Sequence, residues 1–200
     1  MKRSAVILAG GASSRMGTDK AFIEFKGKSL INWVIEAIET SVDEIYISLS
    51  KNQQNNDNMK LLGGYLVRDK YPYSSPLIGL LSALKQIKTG YVFVTACDMP
   101  FIKPELVDYL FKESNNNQGS IIVKPDGWIE PFLSVYHVPT SLMEAERLYL
   151  VGDLRIRMVA RNLIYMKKIG LDKIKKIDAE LHSLTDIDTI DKLTLARCLI

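Results

Sequence analysis

Cysteine and histidine are scarce, with two of each in 200 residues. Cys97 and Cys198 are too few for a disulfide framework, and neither they nor His137 and His182 have partners at the spacing of a structural zinc site. The histidines are expected to be structural. Long hydrophobic runs are missing too: no stretch approaches the roughly 18 apolar residues of a membrane helix, so no span of a bilayer is expected. Lys2-Arg3 followed by Ala5-Val6-Ile7-Leu8-Ala9 has the outline of a secretory leader, but Gly10-Gly11 and Arg15 cut the apolar part short, and a cytoplasmic location is expected. Also absent is a dense basic run interleaved with aromatics. The 26 Lys and Arg against 23 Asp and Glu leave a formal charge of +3, spread along the chain. That pattern argues against a nucleic-acid binder and leaves room for a small anionic ligand. A 47% hydrophobic, 24% charged composition can bury a core and rules out overall disorder. Residues 1–200 are therefore expected to form a single domain, as a monomer or weak homo-oligomer.

Apolar runs bounded by turn residues recur at Ala5–Leu8, Glu44–Leu49, Tyr65–Val67, Tyr91–Ala96 and Ser120–Val123, and read as buried strands. Helical faces lie between and after them: Leu30-Ile31-Val34-Ile35-Ile38, Leu77-Leu80-Leu81-Leu84-Ile87, Leu106-Val107-Leu110-Phe111 and Leu142-Ala145-Leu148. This alternation predicts an α/β fold, a Rossmann-like three-layer α/β/α arrangement with a mostly parallel sheet. Ile129–His137 alternates loosely and is expected to add a mixed-sheet strand. Residues 155–177 resist placement, and Asn52–Asn58 and Asn115–Gln118 read as surface loops. In such folds ligands bind beyond the carboxyl ends of the strands.

The loop after the first strand, Leu8-Ala9-Gly10-Gly11-Ala12-Ser13-Ser14-Arg15-Met16-Gly17-Thr18-Asp19-Lys20, joins small residues to an Arg and a Lys. Its glycines let backbone N–H groups approach an anion, and Arg15 and Lys20 can neutralise a polyphosphate. A tight turn explains the glycines equally well. Neither a Walker A loop nor the Gly-x-Gly-x-x-Gly dinucleotide fingerprint is present. A second candidate is Asp98, placed by Cys97-Asp98-Met99-Pro100 where an apolar strand stops. It suits Mg²⁺, which takes one or two protein carboxylates and fills its shell with water and phosphates. A cap for the helix beginning near Lys103 is the competing reading.

The loop resembles the signature of nucleotidyltransferases with the nucleotide-diphospho-sugar transferase fold: Leu-Ala-Gly-Gly, Arg-Met-Gly, then Lys. Its Gly-x-Asp-Lys ending most resembles the molybdenum cofactor guanylyltransferases, the molybdopterin-guanine dinucleotide biosynthesis protein A family. The resemblance implies a nucleotide site at Leu8, Ala9, Gly10, Gly11, Lys20, Asp69 and Asp98. It implies catalytic roles for Arg15, Lys20 and Asp98, with Asp98 binding Mg²⁺ and Asp69 the guanine. It also implies GMP transfer from GTP to molybdopterin with release of pyrophosphate. This chain has Ser75-Pro76-Leu77-Ile78-Gly79 where the family has Gly-Pro-Leu-x-Gly, and Ser48 or Asn52 where an asparagine often touches the nucleotide. Asp126-Gly127-Trp128-Ile129-Glu130-Pro131 resembles a segment bordering the acceptor pocket, or else a β-turn. Thr185-Asp186-Ile187-Asp188-Thr189 replaces Asn-Ile-Asn-Thr, or else caps a helix. Trp33 is expected to pack on its helix and Trp128 to be the better ring-stacking candidate. Lys167, Lys168, Lys173, Lys175 and Lys176, with Arg155, Arg157 and Arg161, read as a solvated face. The rival activities are cytidylyl transfer to the same cofactor, guanylyl transfer to cobinamide phosphate or phospholactate, sugar-nucleotide synthesis, and non-catalytic nucleotide binding.

Overall fold

Strand β1 (Arg3–Leu8) carries side chains buried on both faces, which requires cover on both sides of the sheet. In the computed structural model, which describes residues 2–10, 20–51, 53, 62–88 and 90–196, that cover is two helical layers. The remaining strands are β2 (Glu24–Phe25), β3 (Lys28–Ser29), β4 (Glu44–Leu49), β5 (Tyr65–Arg68), β6 (Tyr91–Ala96), β7 (Gly119–Val123), β8 (Ile129–His137) and β9 (Met166–Gly170). The helices are α1 (Leu30–Ile38), α2 (Pro76–Leu84), α3 (Pro104–Ser114), α4 (Val138–Leu150), α5 (Arg157–Asn162), α6 (Leu171–Ile174) and α7 (Ile190–Ala196).

One sheet runs in the order β5-β4-β1-β6-β8-β7-β9, and β2 and β3 form a separate small hairpin. Strands β5, β4, β1 and β6 pair in parallel, β8 is antiparallel to both neighbours, and β9 is parallel to β7. The alternation of strand side chains decides the layers. Ala5 and Ile7 face α1 and α3 in one cluster, while Val6 and Leu8 face α2, α4 and α5 in the other. Each fully buried Leu, Ile or Val contributes about 1.5–3 kcal/mol, so the two clusters hold the layers together.

The expected strands and helices are all present, and Ile129–His137 is the mixed-sheet strand. Residues 155–177 contain α5, β9 and α6. Among the described residues β9 pairs only with β7, and its Lys167 and Lys168 are exposed, which discourages further pairing at that edge. The pairing of β7 with β8 shifts between Ile121↔Ser134 and Ile122↔Glu130, so residues 131–133 bulge from the ladder. Pro131 has no N–H to give the ladder, which makes this a natural place for a bulge.

Candidate active site

The parallel strands end together at one edge of the sheet. Leu8 is level with Ser48 on β4 and with Ala96 on β6, and Leu49 is level with Arg68 on β5. Asp69 and Asp98 follow β5 and β6 directly, which puts both on that edge. Two backbone bonds continue the sheet one step further, Ala9 N–H to the Ser48 carbonyl at 2.9 Å and Cys97 N–H to the Leu8 carbonyl at 3.1 Å. Beyond them opens a cleft of about 460 Å³. One end is lined by Leu8, Ala9, Gly10, Ser48, Asp69 and Ser75, and the other by Lys20, Asp98, Lys124, Glu130, Phe132 and Asp186.

Lys20 sits in a short 3-10 turn and places its Nζ 2.5 Å from Asp98 Oδ2. Both side chains are partly screened, 25% and 14% exposed, so the pair is stronger than a surface ion pair yet open to a ligand. Asp98 caps no helix: α3 starts at Pro104 with Lys103 before it and no side-chain cap. That removes the competing reading of Asp98. Gly10 packs so closely on the β4 end that a Cβ would lie 2.7 Å from the Ser50 backbone nitrogen, so only glycine fits there.

At the other end Asp69 is 5% exposed, and its Oδ1 is buried without a hydrogen-bond partner. Burial pushes its carboxyl above the ordinary aspartate value, and the neighbouring Ser82 hydroxyl counters this only in part. Such a group favours a ligand that brings its own N–H donors. The carbonyls of Leu8 and Ala9, which border this end of the cleft, each accept a hydrogen bond already: Leu8 from Cys97 N–H and Ala9 from Gln53 Nε2 at 3.2 Å. Gln53 Oε1 also accepts from Ser50 N–H at 3.1 Å, so this side chain ties the β1 and β4 loops together.

A model of the family described as the MobA-like NTP transferase domain matches residues 5–166. The chain belongs to that family. A probable molybdenum cofactor guanylyltransferase of Natranaerobius thermophilus is 42% identical over 138 residues, 67% of this chain and 66% of that one. Another from Natronomonas pharaonis is 32% identical, covering 98% of this chain and 97% of its own. Molybdopterin-guanine dinucleotide biosynthesis protein A of Archaeoglobus fulgidus superposes with a TM-score of 0.80 at 28% identity, over 98% and 97% of the two chains.

In this MobA-like domain, Leu8, Ala9, Gly10, Lys20, Asp69 and Asp98 all line one cleft. Gly11, Arg15 and Asn52 lie outside the described residues. Ser75, standing where the family has glycine, adopts an extended φ of −161° that suits any residue, and its hydroxyl accepts from Ile78 N–H at 3.2 Å to cap α2. The turn therefore does not need the missing glycine. Gly79, one turn into α2, does matter, because a Cβ there would lie 2.6 Å from the Ser48 hydroxyl. The competing readings of the two later segments also hold: Asp126 Oδ1 accepts from Trp128 N–H in a tight turn, and Thr189 Oγ1 accepts from Lys192 N–H at the start of α7. Both segments nonetheless supply cleft residues, Glu130 and Asp186, which residue patterns alone had not marked as site residues. Burial pushes the Glu130 carboxyl up, while Lys124, 3.7 Å away, partly offsets this. Trp33 packs edge-on to Phe25, and Trp128 is exposed with the Arg157 guanidinium 5.1 Å over its ring.

Asp69→Asn separates the binding role from the fold. The folded state raises this carboxyl's pKa, so its contribution to stability is fully present below the ordinary 3.8 and is lost as pH rises through the folded value. At pH 7 the buried charge is a liability of about 1–3 kcal/mol. The Asn variant is expected to melt roughly 2–4 °C higher at pH 7, an advantage that fades below pH 4. The same variant should bind GTP about tenfold more weakly. Thermal melts against pH and calorimetry test the two halves separately.

Proposed function

We propose that this chain transfers GMP from GTP to molybdopterin and releases pyrophosphate. The carrying observation is the division of the cleft, with a bare buried carboxylate oxygen at one end and the Lys20–Asp98 pair at the other. Guanine presents an N1–H and an exocyclic amine as donors, and Asp69 is the acceptor left free for them. Adenine offers no N1–H, so it leaves that oxygen unpaired at roughly 1–3 kcal/mol. Family membership and the guanylyltransferase names of the relatives agree with this reading.

At the other end, Lys20 turns from Asp98 to the triphosphate, where it neutralises charge and orients the chain of phosphates. Asp98 is the carboxylate suited to a magnesium ion. Among the described residues no group of three or more carboxylates, histidines or cysteines could hold a metal alone, so the ion would share its shell between Asp98, the nucleotide phosphates and water. Bound there, Mg²⁺ would cancel phosphate charge. The acceptor's phosphate monoester attacks the α-phosphorus. A bond forms between that oxygen and phosphorus, the bond to the β-phosphate oxygen breaks, and pyrophosphate carries away the electron pair. The attacking oxygen is already anionic near neutral pH, its second pKa being about 6, so no protein base is required. Glu130 and Lys124 border the space left for the acceptor.

The test is calorimetry with each nucleoside triphosphate and Mg²⁺, alongside pyrophosphate release with molybdopterin. GTP should bind at least about tenfold more tightly than ATP, CTP or UTP, from the low end of that unpaired-acceptor cost. Tighter binding of CTP overturns the guanylyl assignment. Binding without pyrophosphate release overturns the enzyme reading. A cytoplasmic location is part of the proposal; among the described residues no helix is long and apolar enough to cross a membrane.

A further inference from the structure

Two carboxylates stand at the phosphate end of the cleft, where they repel the triphosphate that nucleotidyl transfer requires. Asp186 lines the cleft, and Asp188 lies near enough to Lys20 to feel its charge. Their backbone is anchored between them. The N–H of Ile187, between them, donates to the Asp98 carbonyl at 2.8 Å, and the Ile187 side chain is fully buried in a cluster with Phe25 and Leu30. Counting Glu130 and Asp98, this end of the cleft and its border hold, among the described residues, four carboxylates against three ammonium groups, Lys20, Lys124 and Lys192.

Lys192 meets both aspartates. Its Nζ is 2.5 Å from Asp186 Oδ1 and 2.9 Å from Asp188 Oδ1. Thr189 receives its backbone N–H at 3.2 Å, which seats it in the first turn of α7. The three side chains are 41%, 46% and 33% exposed, and ion pairs this open add little to stability. Their field on a multiply charged ligand is larger, because one cation acts on every phosphate charge nearby. The Lys192 ammonium is held above its ordinary pKa by both partners and stays charged at neutral pH.

We propose that Lys192 is a positioning residue for nucleotide binding: it draws Asp186 and Asp188 to itself and offsets half of their charge against the triphosphate. The inference rests on the nucleotidyl-transfer reading. Calorimetric titration with GTP, first in EDTA at low salt and then with Mg²⁺, tests it. Lys192→Met should weaken metal-free GTP binding by about tenfold, and the difference should shrink as salt is raised. With Mg²⁺, KM for GTP should rise while kcat stays within about twofold. The triple variant Asp186→Asn/Asp188→Asn/Lys192→Met is neutral where the wild-type trio carries one net negative charge, so it should bind metal-free GTP at least as tightly as wild type and less tightly than the aspartate double variant. The double variant Asp186→Asn/Asp188→Asn, which keeps Lys192, should bind metal-free GTP several-fold more tightly than wild type, and this arm decides alone where Lys192→Met folds poorly. A Lys192→Met protein that binds GTP like wild type overturns the proposal, as does a triple variant as weak as the single or a double variant no tighter than wild type. Wild-type protein that binds no GTP under either condition overturns the nucleotidyl-transfer reading, and this proposal with it.

Discussion

Asp98→Asn is expected to lower transfer by at least about a hundredfold while the protein still folds and still binds metal-free GTP. The first half follows from chemistry: the amide keeps the side-chain volume but removes the anionic oxygen that suits Mg²⁺, and a hard cation at a neutral amide loses most of its attraction. The second half follows from the ion pair. Asp98 holds Lys20 at 2.5 Å in the ligand-free protein, so the Asn variant releases that ammonium for the phosphates. Only a partly exposed pair is lost, which limits the stability cost to about 1 kcal/mol, a few degrees in melting temperature. Pyrophosphate release and a nucleotide titration in EDTA read the two halves. Normal turnover of the variant with Mg²⁺ would remove Asp98 from the reaction.

Lys20→Ala should lower kcat/KM by roughly ten- to a hundredfold, the range expected when a charge-assisted hydrogen bond worth about 1.5–3 kcal/mol is lost. Two consequences of the geometry push in that direction. The alanine removes the ammonium that pairs with Asp98, and with it a positive charge that also acts on Asp188. Lys20→Arg should recover part of the loss, since a planar fork places its charge differently from an ammonium. Equal GTP affinity in wild type and Lys20→Ala, measured by calorimetry, would take Lys20 out of the site.

Much of this architecture is written in apolar periodicity. Strands such as Ala5–Leu8 and Tyr91–Ala96 lie in the sheet centre, where both faces are covered and the run must be continuously apolar. β9 escapes the same reading because it is an edge strand with the sequence Met166-Lys167-Lys168-Ile169-Gly170, and its lysines look like part of a solvated face. Asp69 and Asp98 are legible because each directly follows a strand, and Lys20 because it belongs to the charged loop after the first strand, so local order along the chain already points to the edge they share. Glu130, Gln53 and Lys192 are not. Glu130 acquires its position from a register shift, Gln53 by spanning two loops, and Lys192 from a contact between a late helix and the loop after Asp186. Each depends on pairings between distant segments that no local pattern encodes.

The bulge at residues 131–133 has a consequence for how such a protein can change its acceptor. On one side of it, Ser134 to His137 keep their place in the ladder; on the other, Ile129 and Glu130 pair with the end of β7, and Glu130 lines the cleft. The Ser134 hydroxyl bonds back to the Glu130 carbonyl at 2.6 Å and closes the loop of extra chain. A residue gained or lost within the bulge is absorbed there, so the wall formed by Lys124, Glu130 and Phe132 can be reshaped without shifting the strands that carry Asp98 and Asp69. The sheet thus separates the strands that carry Asp69 and Asp98 from a wall whose length can vary; on the proposed function the nucleotide meets the first and the acceptor the second.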